Sequence, residues 1–287
     1  MRSAIPLLAL IGSVAACSTS PTAIGPIEAI QRAQHNTRVE LAARDYARFT
    51  IARYAELTGD PITAAKNYSD LISRARDDAG LADRAVFSSL LINDFETAAK
   101  RAADIDPAAR ADADLTRLTL AVDAFSAGKF DTAQQYLNGP WRSAFHNVVA
   151  QSLMAWIASE SDLEGAAKLQ AGAGQDDPVL LPVGRAISGV MLASGGEDQA
   201  ALAVFDELWR ASARLALAVE TEARLLASKN QRDEALTRLK RFRTDIGRHP
   251  ALTALTTQLE NGEQPKPISI SRKQGAALAI YAATAAL

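Results

Sequence analysis

Gly128-Lys129-Phe130-Asp131-Thr132-Ala133 places a turn-forming residue five positions ahead of an alanine, and the chain repeats that arrangement five more times. The other copies are Gly59-Asp60-Pro61-Ile62-Thr63-Ala64, Asn93-Asp94-Phe95-Glu96-Thr97-Ala98, Ser161-Asp162-Leu163-Glu164-Gly165-Ala166, Gly196-Glu197-Asp198-Gln199-Ala200-Ala201 and Asn230-Gln231-Arg232-Asp233-Glu234-Ala235. Successive anchor alanines from Ala64 to Ala235 lie 34, 35, 33, 35 and 34 residues apart. A fixed period of this length marks stacked supersecondary units, each unable to bury its apolar face alone. Alanine by itself would say little, since it makes up 59 of the 287 residues. Its joint recurrence with Gly, Asn or Ser five positions earlier is the informative signal.

The spacing has a mechanical reading. A helix ends on a residue in the left-handed conformation, which Gly tolerates and Asn adopts more readily than other side chains. Acidic or Thr side chains then suit the exposed N–H groups and positive dipole end of the next helix. An alanine one turn inside that second helix lets the two backbones approach closely. Twelve residues before each anchor stand Ala52, Val86, Ala121, Met154, Gly189 and Ala223, all uncharged; four residues after it stand Tyr68, Ala102, Leu137, Gln170, Phe205 and Leu239. Gln170 alone breaks the second column. The pattern predicts an all-α chain of about six helix–turn–helix units, whereas a plain helical bundle would have no need of a fixed period.

Residues 40–250 resemble the tetratricopeptide repeat, a 34-residue helix–turn–helix unit. The copies are degenerate: the early aromatic of the first helix is weak, and the terminal proline falls in register only as Pro178, with Pro107, Pro140 and Pro250 at other offsets. The resemblance implies a right-handed superhelical solenoid over residues 27–260. It also implies that the first helix of each unit lines a concave face on which partner peptides lie. Transferred by offset from the anchors, that face takes Tyr46, Phe49, Arg53 and Glu56 from the first unit and Asp83, Phe87 and Leu90 from the second. Leu118, Val122 and Phe125 come from the third, Gln151 and Ala155 from the fourth, Val190 from the fifth, and Glu220 and Arg224 from the sixth. Phe49, Phe87, Leu118, Val122 and Phe125 would form an apolar strip suited to an amphipathic helix or an extended apolar peptide. The alternative is that they pack between neighbouring first helices. A clamp of Lys and Asn for a C-terminal carboxylate, used by some members of the family, is not expected, because the inward column Arg53, Phe87, Val122, Ala155, Val190 and Arg224 holds no Asn.

The chain opens with an address. Met1-Arg2-Ser3 carries one positive charge ahead of an apolar run from Ala4 to Ala16. That run is too short for a bilayer span, which takes about 20 residues, and reads as a signal peptide over 1–16. Val14-Ala15-Ala16-Cys17 resembles the lipobox of bacterial lipoproteins, in which small residues precede a cysteine that is acylated after cleavage. Cys17 is the only cysteine, which also excludes a disulfide-stapled fold. Ser18 rather than Asp follows it, so the resemblance implies the outer membrane, with the body facing the periplasm. Residues 17–26, rich in Ser, Thr and Pro, read as the lipidated cysteine and a tether.

Composition narrows the rest. With 48% apolar and 22% charged residues the chain has ample surface to bury, and 31 basic against 33 acidic side chains leave no nucleic-acid footprint. No His-Glu-x-x-His, Cys-x-x-Cys, Gly-x-Ser-x-Gly or phosphate-loop motif occurs, and His35, His146 and His249 fall in different units. Ser126-Ala127-Gly128-Lys129 has the spacing of a penicillin-binding Ser-x-x-Lys but sits on a repeat turn and has no Ser-Asp-Asn or Lys-Thr-Gly companion. No enzyme, metal or cofactor is expected.

The prediction is therefore a non-catalytic scaffold or adaptor of the envelope, with a protein or peptide partner in the periplasm and a membrane attachment through lipid. Two alternatives stand beside it: a regulatory or substrate-binding part of a longer cell-wall enzyme, and a structural oligomer. Residues 261–271, with Pro265 and Pro267, read as a loop, and 272–287 as a C-terminal helix whose last residues are small and apolar. That helix is expected either to be buried, to make an oligomer contact, or to begin a further repeat.

Overall fold

A computed structural model describes residues 26–285; the signal segment, Cys17 and nearly all of the tether lie outside the described residues. The chain divides into a unit of residues 1–47 and a unit of residues 48–287. The described part of the first unit is the beginning of helix α1 (Pro26–Thr58), where most side chains are exposed.

The second unit holds the end of α1 and fourteen further helices. These are α2 (Pro61–Ile72), α3 (Ala79–Leu91), α4 (Phe95–Ala103), the single turn α5 (Pro107–Arg110), α6 (Asp114–Ser126), α7 (Phe130–Leu137) and α8 (Ala144–Ala158). They continue as α9 (Leu163–Gly172), α10 (Leu180–Ser194), α11 (Asp198–Arg210), α12 (Ala216–Ser228), α13 (Arg232–Asp245), α14 (Pro250–Glu260) and α15 (Arg272–Ala285). No strand occurs among the described residues, and no described helix is long and apolar enough to cross a membrane.

Most consecutive helices between α2 and α14 pack on one another, and α6, α8, α10 and α12 also touch in succession. The buried apolar residues fall into clusters, from Ala52–Ala113 through a large group on α6–α12, joined by Ala276, Ala279 and Ala283 of α15, to Trp209–Leu259.

The six turns account for the period. Gly59, Asn93, Gly128, Gly196 and Asn230 all have φ between 58° and 86°, in the left-handed region. In each of these five turns the next residue's N–H reaches back five residues, as from Asp60 to the Ala55 carbonyl (2.8 Å), closing the end of the first helix. Ser161 departs from the pattern. It is not left-handed, and Asp162 N–H instead bonds the Ala158 carbonyl, as expected of a side chain without the freedom of Gly or the left-handed tolerance of Asn. Asp60, Asp94 and Asp162 then cap the second helix, each accepting from the backbone N–H three residues on at 2.8–3.0 Å.

The anchors Ala64, Ala98, Ala133, Ala166, Ala201 and Ala235 are 0–1% exposed. The two flanking columns meet across the hairpin. Gly189 on α10 lies under the ring of Phe205 on α11, so close that a Cβ would sit 2.5 Å from it. Tyr68 and Leu137 are buried in the same column, and the exceptional Gln170 is buried too, its amide donating to Ser152 Oγ at 3.0 Å.

Candidate functional site

The residues transferred to a partner face do not share one environment. Tyr46 lies in the first unit and is exposed. In the second unit Phe49 and Phe87 remain 40% and 44% exposed, Phe49 standing edge-on to Tyr68. Leu118 and Phe125 are instead core residues, Phe125 packing edge-on against Phe130, and Val122 is packed against the same cluster. Ala155 and Val190 are fully buried, Leu90 is half-buried, and half-buried Gln151 donates to Asn147.

The polar members are engaged within the fold. Glu56 accepts the Tyr68 hydroxyl (2.6 Å), pairs with Arg53 (2.8 Å) and takes Arg84 from the next hairpin (2.8 Å). Burial pushes its carboxyl up, but the Tyr68 hydroxyl and the two guanidiniums hold it below the usual carboxylate range. Asp83 accepts both the backbone N–H and the hydroxyl of Thr116 at 2.8 Å. It thereby caps α6, whose own N-cap residue Ala113 has no side chain for the task. Glu220 and Arg224 form an ion pair along α12 at 3.0 Å. A second buried network, absent from the transferred set, centres on Glu222, which accepts the Trp209 indole N–H at 2.6 Å and pairs with Arg238 at 3.1 Å.

The face of α8 and α10 is different, because another part of the chain covers it. Helix α15 packs on both. Its start lies by the C-terminal ends of α8 and α10, where Ile270–Arg272 adjoin Trp156, Glu160, Met191 and Ser194. Its last turns lie by the N-terminal half of α10, where Tyr281, Ala282 and Ala285 adjoin Val183, Ala186 and Ile187. It therefore runs antiparallel to α10.

Two cations secure its start. Arg272 pairs with Glu160, reaches the Ile157 carbonyl at 3.5 Å and stacks 4.1 Å over the ring of Phe130; Lys273 donates to the Ser126 carbonyl at 2.6 Å. Those carbonyls close α8 and α6, so the cations sit at the negative ends of two helix dipoles. No protein-family model matches this chain, and no curated protein is similar to it.

Behind the cations the buried residues of α15 are small, Gly275, Ala276, Ala279 and Ala283, and half-buried Ile280 packs on the same core. At Gly275 a Cβ would overlap the indole of Trp156, so only glycine allows this approach. Alanine methyls contribute modestly, each on the order of 1 kcal/mol when removed from water. The seat was not legible in the sequence. Trp156 lies one residue beyond the transferred Ala155, and no local pattern announces that residues 272–285 return to the fourth and fifth units.

Proposed function

We propose that this chain is a non-catalytic adaptor of the bacterial envelope, anchored in the outer membrane through an acylated Cys17 and facing the periplasm. Its body is read as a right-handed solenoid of six degenerate tetratricopeptide-like hairpins over residues 27–260 that binds a protein or peptide partner along its first helices.

One observation carries this reading. A turn residue and a fully buried alanine recur together every 33–35 residues, with the turn left-handed in five of six copies. Repetition of this kind gives an extended surface shared by many helices, preorganised so that a partner loses little ordering free energy on that side. The exposed rings of Phe49 and Phe87 are apolar contacts on such a surface. The anchorage rests on Val14-Ala15-Ala16-Cys17 and the serine after it.

Crosslinking in intact cells, with a photoreactive residue at Phe49 or Phe87, tests the adaptor reading. It predicts capture of a defined envelope protein, and capture that is unchanged when the photoreactive group is moved to an unrelated surface position would sink it. Feeding cells a palmitate analogue tests the anchor: the wild-type chain takes the label and Cys17→Ser does not.

A further inference from the structure

α15 is anchored at Arg272, Lys273 and Gly275, yet it leaves its seat unfilled at both ends. At its start, a cavity of about 270 Å³ remains among Trp156, Glu160, Met191, Ser194 and Arg272. Two buried polar atoms at that cavity, the Trp156 indole N–H and the Ser194 hydroxyl, have no hydrogen-bond partner among the described residues. At its end, a cavity of about 170 Å³ with an almost wholly apolar lining stays open beside Ala282 and Ala285. Between the two, the fully buried residues of α15 are Gly275, Ala276, Ala279 and Ala283, with half-buried Ile280 and Ala282 packed beside them. Both cavities are clefts open to the surface, and they mark where the face of α8 and α10 has room that α15 does not fill.

We propose that the face of α8 and α10 beneath α15 is a helix-binding surface, that α15 plugs it in cis, and that its occupant in trans is a helix of a partner protein. The seat dictates the chemistry of that helix. It opens with two cations, because Glu160 and the carbonyl ends of α6 and α8 receive them. It carries glycine where Trp156 admits no Cβ, and bulky aliphatic residues in place of Ala282 and Ala285, which line the apolar cleft beside Tyr281. The inference deepens the adaptor reading and rests on it for the existence of a partner, while the geometry of the seat stands on its own.

The plug is built to leave. Residues 261–271 join α14 to α15 without regular structure, and eleven residues at about 3.3–3.6 Å each reach far enough for α15 to move clear of α8 and α10. A tethered helix competes at an effective concentration in the millimolar range, so even a weakly held one masks the face against loose binders and yields to a better-fitting one.

The test uses the full chain, as wild type and as Gly275→Leu, which forces α15 off Trp156. Two fluorescently labelled peptides serve as probes: residues 268–287 in the native sequence, and the same peptide with Ala282→Leu and Ala285→Leu. Fluorescence anisotropy is expected to show both peptides binding Gly275→Leu at least tenfold more tightly than wild type. The leucine peptide is expected to bind at least tenfold more tightly than the native one. Equal affinity of the two peptides, or equal affinity for the two proteins, overturns the proposal. If circular dichroism shows that Gly275→Leu has lost helix, the charge-reversed pair Arg272→Glu/Lys273→Glu replaces it, with the same expectations. Sedimentation of the wild type reads the competing occupant: a dimer that Gly275→Leu abolishes would assign the seat to a second copy's α15 and reject the partner helix. These outcomes are independent of the crosslinking in cells, so failure of the seat and failure of the adaptor reading are told apart.

Discussion

The indole N–H of Trp209 donates to Oε2 of Glu222 at 2.6 Å, joining α11 to α12 around a carboxylate that is 1% exposed. Burial pushes that carboxyl up to about 7, against the pull of the Trp209 N–H and of Arg238. The guanidiniums of Arg214 and Arg241 stack on the Trp209 ring at 4.3 and 4.9 Å. The network is assembled from two consecutive hairpins and fixes their register at one buried point.

This buried carboxyl makes stability depend on pH. In the folded chain Glu222 binds its proton up to about pH 7, whereas in the unfolded chain it releases it near the ordinary 4.5. The folded state therefore holds more protons between those values, and stability falls as pH rises through that window, by on the order of 2–3 kcal/mol. Carboxylates such as Glu56, which the fold holds below their usual range, act in the opposite sense and at lower pH. Urea denaturation between pH 5 and 8 should show the decline in the wild type and a flattened profile in Glu222→Gln. An unchanged slope in the variant would remove Glu222 as its source.

Gly189 and Phe205 test the close approach inside a hairpin. A methyl on Gly189 would come within 2.5 Å of the ring, with no flexible end to give way. Gly189→Ala should lose about 1–3 kcal/mol of unfolding free energy by overpacking. Adding Phe205→Leu, which makes room, should recover part of that loss, so that the two changes are non-additive in a denaturant double-mutant cycle.

The turns give a contrast between copies. Gly128 has φ of 76° and open space around a would-be Cβ, so Gly128→Ala meets backbone strain alone and should cost about 1 kcal/mol. Ser161 occupies the corresponding place without the left-handed conformation, and Ser161→Ala should be nearly neutral. Thermal melts of the two variants decide it; equal losses would contradict the difference between the turns.

Gln170 and Ser152 form a buried polar pair in the one hairpin that breaks the apolar column. The Gln170 carbonyl oxygen has no partner among the described residues, so the pair is already imperfectly satisfied. Ser152→Ala alone should cost about 1–3 kcal/mol by orphaning the amide, while Ser152→Ala together with Gln170→Leu should be close to neutral or stabilising. Chemical denaturation of the single and double variants gives the comparison.

The sequence by itself determined the helical class, the positions of the hairpin turns and the small residues on which each pair closes. These are local consequences: Gly or Asn supplies a left-handed end, Asp caps the second helix, and an alanine one turn later admits the neighbouring backbone, all within a few residues of one another. Tertiary structure decided what became of the face those hairpins present. Leu118 and Phe125 went to the core, and Asp83 to capping α6 of the next hairpin, a contact that depends on how units abut rather than on any spacing within one. It alone also brought residues 272–285 back to Trp156, more than a hundred positions away, where the match is between the absence of a side chain at Gly275 and the width of an indole. Such a pairing leaves no period in the sequence, since nothing local at either residue depends on the other.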